Sequence, residues 1–79
     1  MQTSEILDEL SDILGAPVGT LSPETSLTAS GITWDSMALL AYLAFLRFHF
    51  NITLSHTSCE NFRTVEDLLA PIKMNKLVN

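Results

Sequence analysis

Between Met37 and Leu46 the chain reads MALLAYLAFL, and its apolar character continues to Phe50. No other feature limits the fold so strongly. At helical spacing, Leu39, Leu40, Leu43, Leu46 and Phe50 fall on one stripe. Ala38, Ala41, Tyr42, Ala44, Phe45 and Phe48 make much of the opposite side apolar or small as well. A helix apolar nearly all round is normally buried on every side. With 79 residues in total, the rest of the chain can hardly wrap it, because small domains bury a smaller share of their surface. Part of this helix is therefore expected to be exposed or covered by a partner. The run from Met37 to Leu46 spans only about 15 Å as a helix, half the hydrocarbon thickness of a bilayer, so no membrane span is expected.

The segments on either side carry their own punctuation. Ile6, Leu7, Leu10, Ile13 and Leu14 follow one face of a first helix, with Glu5, Asp8, Glu9 and Asp12 on the other. Thr3 or Ser4 is the expected cap, Gly15 the expected stop, and Pro17 confirms it. Residues 16–34 then form a long loop broken by Pro17, Gly19, Pro23 and Gly31. So long a loop in a small domain needs pins, and Val18, Leu21, Leu27 and Ile32 are the expected ones. No strand is expected.

The second helix is expected from Ser36 to about Phe50, capped by Asp35. Ile52 and Leu54 anchor a polar loop, and a helical turn is expected around Cys59 to Phe62. Thr64 and Asp67 approximate a capping box for a last helix, TVEDLLA. Pro71 is expected to end or kink that helix near Leu69 or Ala70, with Ile72 still touching the core and 73–79 a loose tail. The fold class is all-α: one domain over 1–79, three main helices plus one short helix. Its core should contain Leu7, Leu10, Leu14, Leu39, Leu40, Leu43, Leu46, Phe50, Leu54, Phe62, Val65 and Leu68.

Composition narrows the function. The net charge is −5, and the four basic residues, Arg47, Arg63, Lys73 and Lys76, form no run. Nucleic acid and anionic membrane surfaces are therefore not expected partners. Cys59 is the single cysteine, which allows no internal disulfide and no cysteine cage. The acidic N-terminal stretch lacks the positive region of a secretory signal, and a cytoplasmic location is expected. There is no phosphate loop, HExxH motif or nucleophile elbow. His49 and His56 read as surface or partly packed histidines, and Cys59 as a small buried hydrophobe. No metal site and no catalytic residue is expected, so the chain reads as a non-enzyme.

Ser36 has two readings. A serine at a helix start usually just starts the helix. At that position, though, its hydroxyl projects from the positive end of the helix dipole, where an attached phosphate would be stabilised by free N–H groups.

The chain resembles the acyl carrier proteins, including the stand-alone peptidyl and aryl carriers, over about Ile6 to Ile72. The similarity lies in WDSM at the start of the second helix, in Phe50, Ile52 and Leu54 at its end, and in Thr64-Val65 opening the last helix. Asp35, Ser36 and Met37 match the family triplet whose serine carries 4′-phosphopantetheine. The resemblance implies an acyl-carrier-like bundle with the prosthetic group on Ser36, installed by a separate phosphopantetheinyl transferase using magnesium and coenzyme A. It further implies an acyl, aminoacyl or aryl cargo held as a thioester. Its expected partners are an acyl- or aminoacyl-loading enzyme and a ketosynthase or other thioester-processing enzyme.

The chain departs from the family in two places. Thr33 stands where a glycine is common, with Gly31 earlier. The second helix also lacks the acids that relatives present to basic partner surfaces: after Asp35 none appears until Glu60. The expected recognition residues are Asp35, Met37, Ala38, Ala41, Tyr42, Phe45 and Phe48, with the apolar ones packing against the long loop as the alternative. This points to a specialised polyketide, nonribosomal peptide or modified fatty-acid pathway. The rival reading is an interaction module of the same fold with no prosthetic group.

Overall fold

The computed structural model describes residues 2–78, with side chains described to Met74. The elements are α1 (Thr3–Leu14), α2 (Ser36–Phe50), α3 (His56–Cys59) and α4 (Val65–Val78). This is the all-α, acyl-carrier-like arrangement of three main helices and one short one.

Local signals set most of the boundaries. Gly15 ends α1 in the left-handed conformation, φ 69°, which glycine adopts without steric cost. The start of α1 differs from expectation. Gln2, not Thr3 or Ser4, is the cap residue, because Glu5 one turn on reaches back to accept the Gln2 N–H at 3.1 Å. At α2 the expected cap is present: Asp35 Oδ1 accepts the Ala38 N–H at 2.9 Å. Asn51 closes that helix at φ 55°.

The long loop is held by α4. Leu21 and Leu27 are buried and Ile32 packs against the core. Val18 is not a pin; it is 73% exposed, lifted away by the turn in which Thr20 donates to the Pro17 carbonyl. The backbone does further work. Thr25 C=O accepts the Val65 N–H, and Pro23 C=O the Glu66 N–H, both at 2.9 Å. These are donors that a helix start leaves without an intrahelical partner, so the loop caps α4. Leu27 N–H donates to the Arg63 carbonyl at 2.8 Å, beside the isolated bridge between Ser26 and Thr64. Among the described residues no longer strand forms.

Two further boundaries moved. The short helix lies three residues earlier than expected, because Ser55 caps it by accepting the Ser58 N–H. Of the expected end or kink near Leu69 or Ala70, the end does not occur: α4 continues through Pro71 to Val78. An interior proline costs roughly 3 kcal/mol. Leu68 and Leu69 before it and Ile72 after it are all buried, and each such burial stabilises by about 1.5–3 kcal/mol. Packing on both sides therefore carries the helix across the break. For 73–79, the expected loose tail, side chains from 75 on and all of Asn79 lie outside the described residues.

The core joins Ile6, Leu10 and Leu14 of α1 to Tyr42, Phe45 and Leu46 of α2 and to Val65, Leu68, Leu69 and Ile72 of α4. The face of α2 turned inward is the main correction. Ala38, Tyr42, Phe45 and Leu46 are buried, whereas Leu40, expected in the core, is 54% exposed. Leu39, Leu43, Phe50, Leu54, Phe62 and Leu7 are half-buried against the core. The buried stripe is thus turned by about one residue. An apolar pattern that runs nearly all round the helix defines no single face, so the packing partners decide.

Candidate functional site at the start of helix α2

Asp35 and Ser36 stand at the open end of α2, both exposed. The first N–H groups of a helix have no intrahelical acceptor. The Asp35 carboxylate takes that of Ala38, while Ser36 and Met37 are the first two helical residues. An oxyanion on the Ser36 hydroxyl would lie by those N–H groups, at the positive end of a helix running to Phe50. The hydroxyl is free to react, since no hydrogen bond within the described residues engages it.

Behind this end stands a column of aromatic rings. Trp34 packs edge-on to Tyr42 at 6.0 Å, and Tyr42 edge-on to Phe62 at 6.2 Å. Such pairs add about 0.5–1.5 kcal/mol beyond burial. The Tyr42 hydroxyl donates to the Leu68 carbonyl at 2.7 Å. Thr33 N–H donates to the Leu14 carbonyl at 2.9 Å, tying the residue in the family's glycine position to the end of α1. The approach to Ser36 is therefore braced by α1 and α4 together.

Three of the expected recognition residues are core. Tyr42 is fully buried, and Ala38 and Phe45 nearly so; Tyr42 is held there by its hydroxyl bond to α4. Asp35, Met37, Ala41 and Phe48 are exposed, as that role needs. Met37 is 76% and Phe48 81% exposed. Leu40 and Ala44 complete this open face, and the spacing 37, 40–41, 44, 48 keeps it to one side of the helix. Sequence reasoning missed Leu40 because it assigned that residue to the inward leucine stripe, and it placed Ala44 on the opposite side without giving it a recognition role.

Among the described residues, hollows border α2. One, of about 360 Å³, lies between Ala41, Ala44, Phe48 and His49 of α2 and Glu9 and Ile13 of α1, above Phe45. Another, of about 300 Å³, is lined by Leu43, Arg47, Ile52, Thr53 and Leu54, with Arg47 donating to Thr53 Oγ1 at 3.2 Å. Among the described residues no cluster of His, Cys, Asp and Glu could hold a metal. His49 packs beside the rings of Phe45 and Phe48. Cys59 is buried, which pushes its thiol pKa up and keeps it from the reactive thiolate form. No helix of the described chain is long and apolar enough to cross a membrane.

No curated protein and no solved structure matches the chain. The family model described as the phosphopantetheine attachment site matches residues 4–72. That span holds nearly all of α1, the braced loop, the exposed serine at the head of α2 and most of α4, and it implies a covalently attached 4′-phosphopantetheine. The chain belongs to the phosphopantetheine-bearing carriers, the acyl carrier protein family.

Proposed function

We propose that Ser36 is the attachment residue and that the chain presents cargo on the attached arm to separate enzymes. The supporting observation is a free, exposed hydroxyl at the first position of a helix whose cap, Asp35, leaves the neighbouring N–H groups open. In the attachment step a phosphopantetheinyl transferase brings the Ser36 oxygen onto the phosphate of coenzyme A that bears pantetheine. A Ser36 Oγ–P bond forms, the phosphoanhydride bond breaks, the adenosine bisphosphate leaves, and the hydroxyl proton passes to a base of the transferase. When bound, the group supplies a thiol on a flexible arm, which holds an acyl, aminoacyl or aryl cargo as a thioester.

The chain's own residues supply position and recognition. Asp35 fixes the first turn, and Trp34 over Tyr42 keeps the preceding loop in place. Partners approach along Met37, Leu40, Ala41, Ala44 and Phe48. That face carries no acid, so contact there is apolar, which fits a specialised polyketide, nonribosomal peptide or modified fatty-acid pathway better than a general one.

Incubation of the pure chain with coenzyme A, magnesium and a broad-specificity transferase tests this. The expected result is a mass gain of one phosphopantetheine, absent in Ser36→Ala. No gain, or a gain that persists in Ser36→Ala, overturns the assignment.

A further inference from the structure

The open face of α2 continues into the groove shared with α1, and the two walls differ in character. The α2 wall is Ala41, Ala44 and Phe48, with His49 at its end; the α1 wall is Ile13 and Glu9. Ala41 and Ala44 leave the groove shallow and smooth, while Phe48 stands out beside it. All the charge on α1 is acidic: Glu5, Asp8, Glu9 and Asp12, every one exposed. The one ion pair among the described residues joins Lys73 to Glu66 on α4, so within that set no cation pairs with these α1 acids.

The pairing of an apolar wall with an acidic one selects among occupants. A wholly apolar surface would fill the groove but strip water from Glu9 without replacing it, which is costly for a charge. An acidic surface is repelled. A second copy would bring its own −5 net charge and an equally acidic α1 against the first. A helix with one apolar face and cationic side chains along its edge satisfies both walls, in the helix-in-groove mode of recognition.

We propose that the α1–α2 groove seats an amphipathic helix of a partner protein, its apolar side chains against Ala41, Ala44 and Phe48 and its lysine or arginine edge facing Glu9. The acidic contribution to docking thus comes from α1, not from α2. This deepens the carrier reading, on which it rests: a partner seated here lies alongside the helix whose first residue is Ser36.

The probe is a synthetic helix of about 15 residues with leucine at i, i+3, i+4 and i+7 and lysine elsewhere. Its counterpart has glutamate in place of lysine. Titration into the labelled chain, followed by backbone amide shifts, should move Ala41, Ala44, Phe48 and Ile13 with the lysine peptide only. Phe48→Glu and Glu9→Lys should each weaken binding about tenfold or more, and Glu60→Lys, whose site lies off α1 and α2, should not. Phe48→Ser and Glu9→Gln serve as milder versions if helical signal is lost in the first pair. The inference is overturned if the glutamate peptide binds equally well, or if Glu60→Lys weakens binding as much as Glu9→Lys. It is also overturned if sedimentation shows a dimer that Phe48→Glu dissolves, for then a second copy covers the groove. Transferase labelling of the same variants separates the two readings: a chain that gains the arm on Ser36 but fails to bind the peptide refutes the groove alone.

Discussion

Tyr42 shows how one side chain decides the orientation of α2. Its ring lies between Trp34 and Phe62, and its hydroxyl has one acceptor, the Leu68 carbonyl. Burial, and to a lesser extent the neighbouring Cys59, pushes the phenol pKa far above its usual value. The phenol therefore stabilises the fold in full below the ordinary tyrosine value of about 10. That contribution is lost as pH rises beyond it, because the unfolded chain ionises first. Tyr42→Phe should cost about 1 kcal/mol in urea unfolding at neutral pH and flatten the alkaline loss of stability. Asp67 works in the opposite direction. The backbone N–H groups of Arg63 and then Thr64 hold its carboxyl below the usual carboxylate value. Its contribution is present above that value and is lost as pH falls through the lowered one. Asp67→Asn should lower stability at neutral pH and reduce its further loss in acid, read by thermal melts across pH. Half of this was legible: Asp67 sits three residues after Thr64, a visible capping spacing. Tyr42 looked like a surface residue because its acceptor lies on another helix, 26 positions along the chain.

At the scale of elements, short-range chemistry was readable and register was not. Asp35 as the cap of α2 and Gly15 as the stop of α1 each follow from one residue's own geometry, and both stand where expected. Neither the buried face of α2 nor the persistence of α4 could be read this way. Both depend on which side chains meet across the bundle, and a helix apolar nearly all round offers several equivalent answers. α4 is the plainer case. Pro71 has no N–H to offer, yet Leu68, Leu69 and Ile72 are buried around it. Pro71→Ala restores a donor for the Asp67 carbonyl and removes the ring clash, so it should raise stability by roughly 1–3 kcal/mol in denaturant unfolding. Unchanged or lower stability would show that the helix is bent to fit the ring and that the bend contributes to packing.

The whole molecule measures 35 × 26 × 19 Å. Helix axes pack 8–10 Å apart, so its thinnest dimension leaves no room for three full layers. α2 must therefore show one face to solvent, as its composition already implied. The fold resolves this by placing Ala38, Tyr42, Phe45 and Leu46 inward and leaving Met37, Leu40, Ala41, Ala44 and Phe48 outward. The same arrangement puts Ser36 at the end of that outward face, with the long loop fastened to α4 behind it. The proposed attachment point and the proposed docking face are thus two parts of the exposed side of one helix.

The central claim is that this one hydroxyl, among many serines and threonines, carries the arm. Its most direct test is fragmentation mass spectrometry of the chain after transferase treatment. The account predicts that the phosphopantetheine mass maps to the peptide containing Ser36 and to that residue within it. Its appearance on any other serine, on a threonine or on Cys59, or its absence from the chain, would contradict the account.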